Sequence, residues 1–249
     1  MSTHLLIHAP TPLPPGDRAW AYAVGAPYHV AHGLAVDAVV ADAAGDFQQE
    51  MFSRDWGIDN REGLIAQMNS LGENGHRHKF GLTLRYYAML WRPRIASLRE
   101  ECRAAVREGG EDADDSAAAL WRLDAVQANT RDIRSSPLLA FDAARAVMLA
   151  RAGLMIGWLS DDEAWTYMVA VARDVQRTYS SWQHYGADFV LSRNVWAGDS
   201  TPDIFDDAVA ALLAKPDSPW QTLAWAQPLG TATPRLVAGD NLPAWSLES

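Results

Sequence analysis

Apolar residues recur along most of this chain at intervals of three and four, the spacing of a helix that buries one side. Val30, Leu34, Ala38 and Ala41 predict a first helix between Tyr28 and Ala44, with Gly45 as its stop. After a turn at Trp56-Gly57, Leu64, Ile65, Met68 and Leu71 make one face of a short helix that ends at Gly72 and Gly75. A long run from about His78 to Arg107 carries Phe80, Leu82, Leu84, Tyr87, Leu90 and Trp91. Pro93, which has no N–H to donate, is expected to kink or split that run. Beyond it Ile95, Leu98, Cys102 and Val106 face inward among arginines and glutamates.

Residues 109–116, GGEDADDS, read as a loop, and Leu120, Leu123, Val126 and Gln127 share a side of the helix predicted from Ala117 to Asp132. Pro137 suits the first turn of the next helix. Ser160 and Glu163 have the form of a capping box, opening a helix through Val175 with Ala164, Met168, Val171 and Val175 as its stripe. Ser180 or Ser181 opens another through about Trp196, and Pro202-Asp203 a short one through Ala214.

No stretch alternates apolar and polar residues long enough for a sheet, so the expected fold is all-α, a single globular domain of about seven to nine helices. The remaining room for β structure is a small hairpin of Leu5–Ile7 with Arg235–Val237. Residues 1–27 are expected to be a Pro-rich arm, 28–214 the helical body, and 215–249 an irregular wrap that packs Trp220, Trp225 and Trp245 onto it.

The stretch from Ser136 to Trp196 organises this plan. At 100° per residue, Leu138, Phe141, Asp142, Arg145, Leu149, Ala152 and Ile156 crowd one side of a helix whose other side, with Leu139, Ala143 and Val147, is also apolar. Such a helix belongs in the middle of the domain, and a charge there needs a partner. Two readings stand open. Asp142 and Arg145 form a buried polar lock with each other or with neighbouring helices, or they border a pocket in which Arg145 binds an anion and Asp142 serves as base or ligand. Gly75-His76-Arg77-His78 is the second concentration of polar chemistry, and His76 is a candidate to meet Asp142 in space. Two histidines spaced by two, without a third ligand nearby in sequence, do not specify a metal site, so no metal and no cofactor is expected. His184 is a further candidate, with a solvated surface position as the alternative.

Composition narrows the partners. The formal net charge of −10 argues against nucleic acid, which needs a basic surface, and leaves a basic protein open. One cysteine, Cys102, excludes an internal disulfide and a CxxC motif. The start of the chain lacks the form of a secretory signal, and no segment looks like a membrane span, so a cytoplasmic location is expected. Eleven tryptophans mostly fill space between helices. No nucleophile elbow, phosphate-binding glycine loop or zinc-protease helix occurs, which weighs against an enzyme.

The run AFDAARAVMLARAGLMIGWLSDDEAWTYMVAVARDVQRTYSSWQHYGADFVLSRNVW resembles the bacterial domain of unknown function 1266 family. That family's pattern has an aspartate and an arginine three apart, a Gly-aromatic turn, an acid before Ala-Trp, and a Ser-Trp before a final helix ending in Trp. RDWGIDNREGLIAQMNSLGENGHRHKF is similar to the family's upstream segment. The resemblance covers roughly residues 50 to 200; it departs at Ala152-Gly153, where an aromatic-Gly pair is expected. It implies that Trp56, His76, Arg77, Asp142, Arg145, Trp165, Ser181 and Trp182 occupy positions of the family pattern. The expected function is a non-catalytic, cytoplasmic interaction protein, of the immunity type that binds and neutralises a bacterial secretion-system or polymorphic toxin. The alternative is an enzyme or small-ligand binder using Asp142, Arg145 and His76.

Overall fold

A computed structural model of the protein describes residues 5–39 and 45–230. Those residues form an all-α protein. Its helices are α1 (Asp17–Val24), α2 (Ala26–Ala31), α3 (Gly45–Met51), α4 (Arg61–Glu73), α5 (Gly75–Met89), α6 (Arg92–Glu108), α7 (Ala113–Ala128), α8 (Leu139–Met155), α9 (Asp161–Thr178), α10 (Trp182–Ala197), α11 (Ile204–Ala214) and α12 (Pro219–Thr222). Nine of these reach eight residues, in line with the expected seven to nine. A π-helical turn, Phe52–Trp56, extends α3, and Gly57 closes it in the left-handed region at φ 62°.

Helix α8 is the axis of the fold. Every residue from Leu139 to Gly153 is buried, because α1, α2, α4, α5, α9 and α10 surround it. Gly153 lets α4 come close, since a Cβ there would stand 2.5 Å from Leu64 Cδ2. Around this axis lies one large core that includes Trp20, Tyr22, Phe52, Leu64, Met68, Leu149, Tyr167, Tyr185 and Phe189. A smaller core of Leu84, Tyr87, Leu123, Val126, Ile133 and Val195 joins α5, α7 and α10.

The caps read from sequence are present. Ser160 and Glu163 form the reciprocal box at the start of α9, Ser181 accepts the His184 N–H to open α10, and Asp203 with Asp206 does the same for α11. The break expected at Pro93 is a full split, with Leu90 and Trp91 extended and Pro93 seated in the first turn of α6.

Several boundaries differ from expectation. A helix already begins at Asp17, within the stretch expected to be an arm, and its Trp20–Val24 segment is wholly buried. Being apolar on every side, that segment carries no amphipathic signal. The helix expected over 28–44 is Ala26–Ala31 among the described residues: Gly33 turns left-handed, and the chain then passes beside the N-terminal segment, where Val36 N–H donates to Ile7 O. Ile7 therefore bridges Ala35, and the hairpin partner Arg235–Val237 lies outside the described residues, as do residues 40–44 and Trp245. Helix α7 starts at Ala113 and ends at Asn129 in the left-handed region, and Pro137 precedes α8 instead of opening it. The C-terminal segment does pack its rings inward: Trp220 stacks on Trp182 at 5.5 Å, and Trp225 meets both Trp20 and Trp182 edge-on.

Candidate functional site

Asp142 and Arg145 do not pair with each other. Asp142, on the first turn of α8 and wholly buried, points at the N-terminus of α5. Its carboxylate accepts the backbone N–H groups of His76 (3.1 Å) and Arg77 (3.0 Å) and an ion pair from Arg77 Nη1 (3.1 Å). Free N–H groups and the positive end of a helix dipole suit a carboxylate there. Arg77 also donates to Leu71 O (2.5 Å) and Gly72 O, closing the last turn of α4. Gly75 makes the corner: its φ is +52°, and a Cβ would lie 2.1 Å from Asp142 Oδ2. Asp142, Arg77 and the backbone of His76 thus lock α4, α5 and α8 together.

Arg145, one turn further along α8, faces a cavity of about 560 Å³. Its side chain is 5% exposed, its Nε donor has no acceptor, and no carboxylate pairs with it among the described residues. The guanidinium lies between two rings, 4.9 Å from Trp56 and 4.9 Å from Phe141. Stacking uses its faces and leaves its edge, where all the N–H donors are, directed elsewhere. Desolvation pulls its pKa below the ordinary arginine value and outweighs the opposing charge of Asp142, which makes no ion pair with it.

Five helices and the π turn build most of the cavity. The floor is α8, where Phe141, Arg145, Met148 and Arg151 follow one another at spacings of four, three and three. One wall is Tyr28 of α2, Arg193 and Trp196 of α10 and Phe205 of α11; the other is Gln48, Met51, Arg54 and Trp56 from α3 and the π turn. Arg151 is buried and donates Nε to Tyr22 Oη at 3.1 Å. Arg193 pairs with Asp203 and lies over Trp196 and Phe205, while Arg54 pairs with Asp55 at 2.7 Å. His76 reaches the rim, where desolvation and then the Arg145 charge lower its pKa to about 4, so it is neutral at pH 7. His32, also on the rim, is lowered by desolvation. An acidic protein thus concentrates cations in one aromatic-walled hollow.

Of the eight positions singled out in the sequence, His76, Arg77 and Asp142 meet at the α4–α5 corner, and His76, Arg145 and Trp56 meet at the cavity. The other three lie apart. Trp165 is buried, donates to Asp161 (2.9 Å) and carries Arg18 over its ring. Ser181 is a helix cap, and Trp182 donates to Leu223 O (3.0 Å) within the tryptophan cluster. His184 sits beside Ser180 on the surface. Sequence reasoning missed Arg151 and Arg193. Arg151 carried a signal, since it continues the Arg145–Met148 stripe of an otherwise apolar helix; Arg193 carried none, because α10 has no amphipathic face against which to notice it.

Asp188 was missed as well. Buried in α10, it accepts from Ala140 N–H at the start of α8 (3.1 Å), from Ser192 (3.2 Å), and from the hydroxyls of Ser136 and Tyr179. Burial and the Asp188 charge push the Tyr179 phenol far above its ordinary pKa. Asp188 is therefore a second saturated carboxylate at a helix N-terminus.

The fold and the site describe an all-α protein with a buried cationic cavity at its central helix. The chain matches the family described as Protein of unknown function (DUF1266) over residues 51–225 and belongs to that family. It is similar to the uncharacterized proteins YbeR and YbeU of Escherichia coli strain K12. With YbeR it shares 26% identity over 196 residues, covering 71% of this chain and 76% of YbeR. With YbeU it shares 27% over 167 residues, covering 67% of this chain and 65% of YbeU. No solved structure matches. No helix among the described residues is long and apolar enough to cross a membrane.

Proposed function

We propose that this protein binds a small organic anion in the cavity above α8. The observation that carries the reading is Arg145, a nearly sealed guanidinium with a donor left without an acceptor in a hollow large enough for a ligand. A buried charge without a partner is expensive, and a ligand carboxylate or phosphate held bidentately supplies what the protein omits. Among the described residues, those lining the cavity include neither Ser, Thr, Cys nor Lys, which favours binding over covalent catalysis. Titration calorimetry of inorganic phosphate and benzoate at constant ionic strength tests the idea. Saturable binding is expected for at least one of them, weakened about tenfold or more in Arg145→Gln. If neither binds and neither raises the melting temperature, the reading fails.

A second reading keeps a protein partner, in the form of a cytoplasmic immunity-type inhibitor of a basic toxin. It draws on the exposed carboxylates Glu108, Glu111, Asp112, Asp114 and Asp115 at the α6–α7 turn and on the exposed apolar side chains Leu82, Tyr86, Met89 and Trp91. Co-purification with the product of the neighbouring gene is its test. The absence of both a 1:1 complex and relief of toxicity would sink it.

A further inference from the structure

We propose that the ligand of the cavity is a nucleoside monophosphate, with its phosphate on Arg145 and Arg151 and its base among the aromatic walls. The proposal rests on the anion-binding reading and narrows it.

Charge selects the anion. Of the four arginines lining the cavity, Arg54 is neutralised by Asp55 and Arg193 by Asp203, whereas Arg145 and Arg151 have no carboxylate partner among the described residues. Two charges without an ion-pair partner among the described residues call for a dianion, and a phosphomonoester carries roughly −1.5 to −2 near pH 7 where a carboxylate carries one charge. The two positions are two successive i+3 steps along one helix, about 9 Å apart in rise, and both side chains border the same hollow.

The walls select what the phosphate is attached to. Tyr28, Trp196 and Phe205 line the hollow; Arg193 lies over Trp196 and Phe205, Trp196 remains 41% exposed, and stacking on such rings is how proteins hold unpaired bases. Two carboxamides, Gln48 and Gln67, line the same hollow. Gln48 is 4% exposed and, like Gln67, makes no hydrogen bond among the described residues. A carboxamide presents a donor and an acceptor side by side, the complement of a base edge. A sugar phosphate leaves the rings unused, and an aromatic hydrocarbon acid leaves the amides unused. A mononucleotide uses the cations, the rings and the amides together, and the volume falls within the range of small-ligand sites.

The experiment is titration calorimetry of the full chain with the four ribonucleoside 5′-monophosphates, the matching nucleosides, inorganic phosphate and benzoate. One monophosphate is expected to bind about tenfold or more tightly than both its own nucleoside and inorganic phosphate. Arg151→Gln is expected to lose that phosphate-dependent gain while keeping the affinity for the nucleoside. Gln48→Leu is expected to flatten the preference among the four bases while keeping the affinity for inorganic phosphate. If inorganic phosphate or benzoate binds as tightly as every monophosphate, the nucleotide is excluded and the anion-binding reading survives. If the wild-type chain binds none of these anions, both are lost. The ranking on the wild-type chain decides the matter even if a variant fails to fold.

Discussion

Asp142 and Arg145 stand three residues apart on one buried helix, and their surroundings have opposite character. At the α4–α5 corner the carboxylate is saturated: two backbone N–H groups and a guanidinium converge on it, and a glycine is placed so that nothing blocks their approach. At the cavity the guanidinium is stacked but unmatched, held in position by rings and left with an open edge. Asp188 repeats the first pattern at the start of α8. Buried carboxylates here serve as caps and locks for helix N-termini, where the backbone supplies the donors, and the buried arginines of α8 have no equivalent source of acceptors. A charge whose needs are met internally stabilises the fold, whereas one whose needs are unmet predisposes the site to a ligand.

The largest expected effect comes from breaking the saturated side. Asp142→Asn keeps the shape but turns a carboxylate oxygen into an amide that faces donors, leaving Arg77 and the α5 N-terminus underpaired. A loss of about 3–5 kcal/mol in urea unfolding is expected, as for removal of one partner of a buried pair. A loss below about 1 kcal/mol, the value of a surface pair, would show that the corner is not a lock.

An intermediate effect concerns His29, which is buried, stacked on Tyr22 at 4.2 Å, and without a hydrogen-bond partner at either ring nitrogen. Burial, and then the nearby Arg151 charge, hold its pKa well below the ordinary value of 6.5. The sign follows directly: below pH 6.5 the unfolded chain takes a proton that the folded chain refuses, so stability present above 6.5 is lost as the pH falls. One such proton contributes a slope of about 1.4 kcal/mol per pH unit. His29→Phe is expected to flatten the decline of the unfolding free energy, measured in urea, between about pH 6.5 and 5 by that amount, with His32 and His76 still contributing. An unchanged slope would mean that the folded protein accommodates the protonated ring.

The smallest expected effect on stability is at Arg145. Arg145→Met keeps an unbranched stem between Trp56 and Phe141, loses two cation–π contacts and relieves a desolvated charge, so the net change in stability should stay within about 1 kcal/mol. A loss as large as that of Asp142→Asn would reveal a hidden counter-charge and remove the contrast between the two ends of the stripe. The ligand measurements described above should respond in the reverse order, with Arg145 sensitive and Asp142 affected only through folding.

Much of this was legible in the residues themselves. The spacing of apolar positions in Leu64–Leu71 and Ala164–Val175 and the caps at Ser160, Ser181 and Asp203 located helices, because local hydrogen bonding and one-sided burial leave a periodic trace. The all-round apolarity of residues 138–156 marked α8 as central, and the charges within it as requiring explanation. Trp20–Val24 of α1 escaped notice for the complementary reason: five successive apolar residues buried on every side show no pattern of contrast.

What only the tertiary structure decided was the division of labour between charges. Helical geometry brings Asp142 and Arg145 to one face but does not say that α5 will aim its N-terminus at the first, or that α2, α10, α11 and the π turn will stand back from the second. The partners of Asp142 lie 65 and 66 residues away, and the walls around Arg145 come from both halves of the chain. Donors and acceptors that meet across such distances are chosen by the packing of whole helices, so the sequence alone determined that these charges were buried, and the fold decided which of them was left unsatisfied.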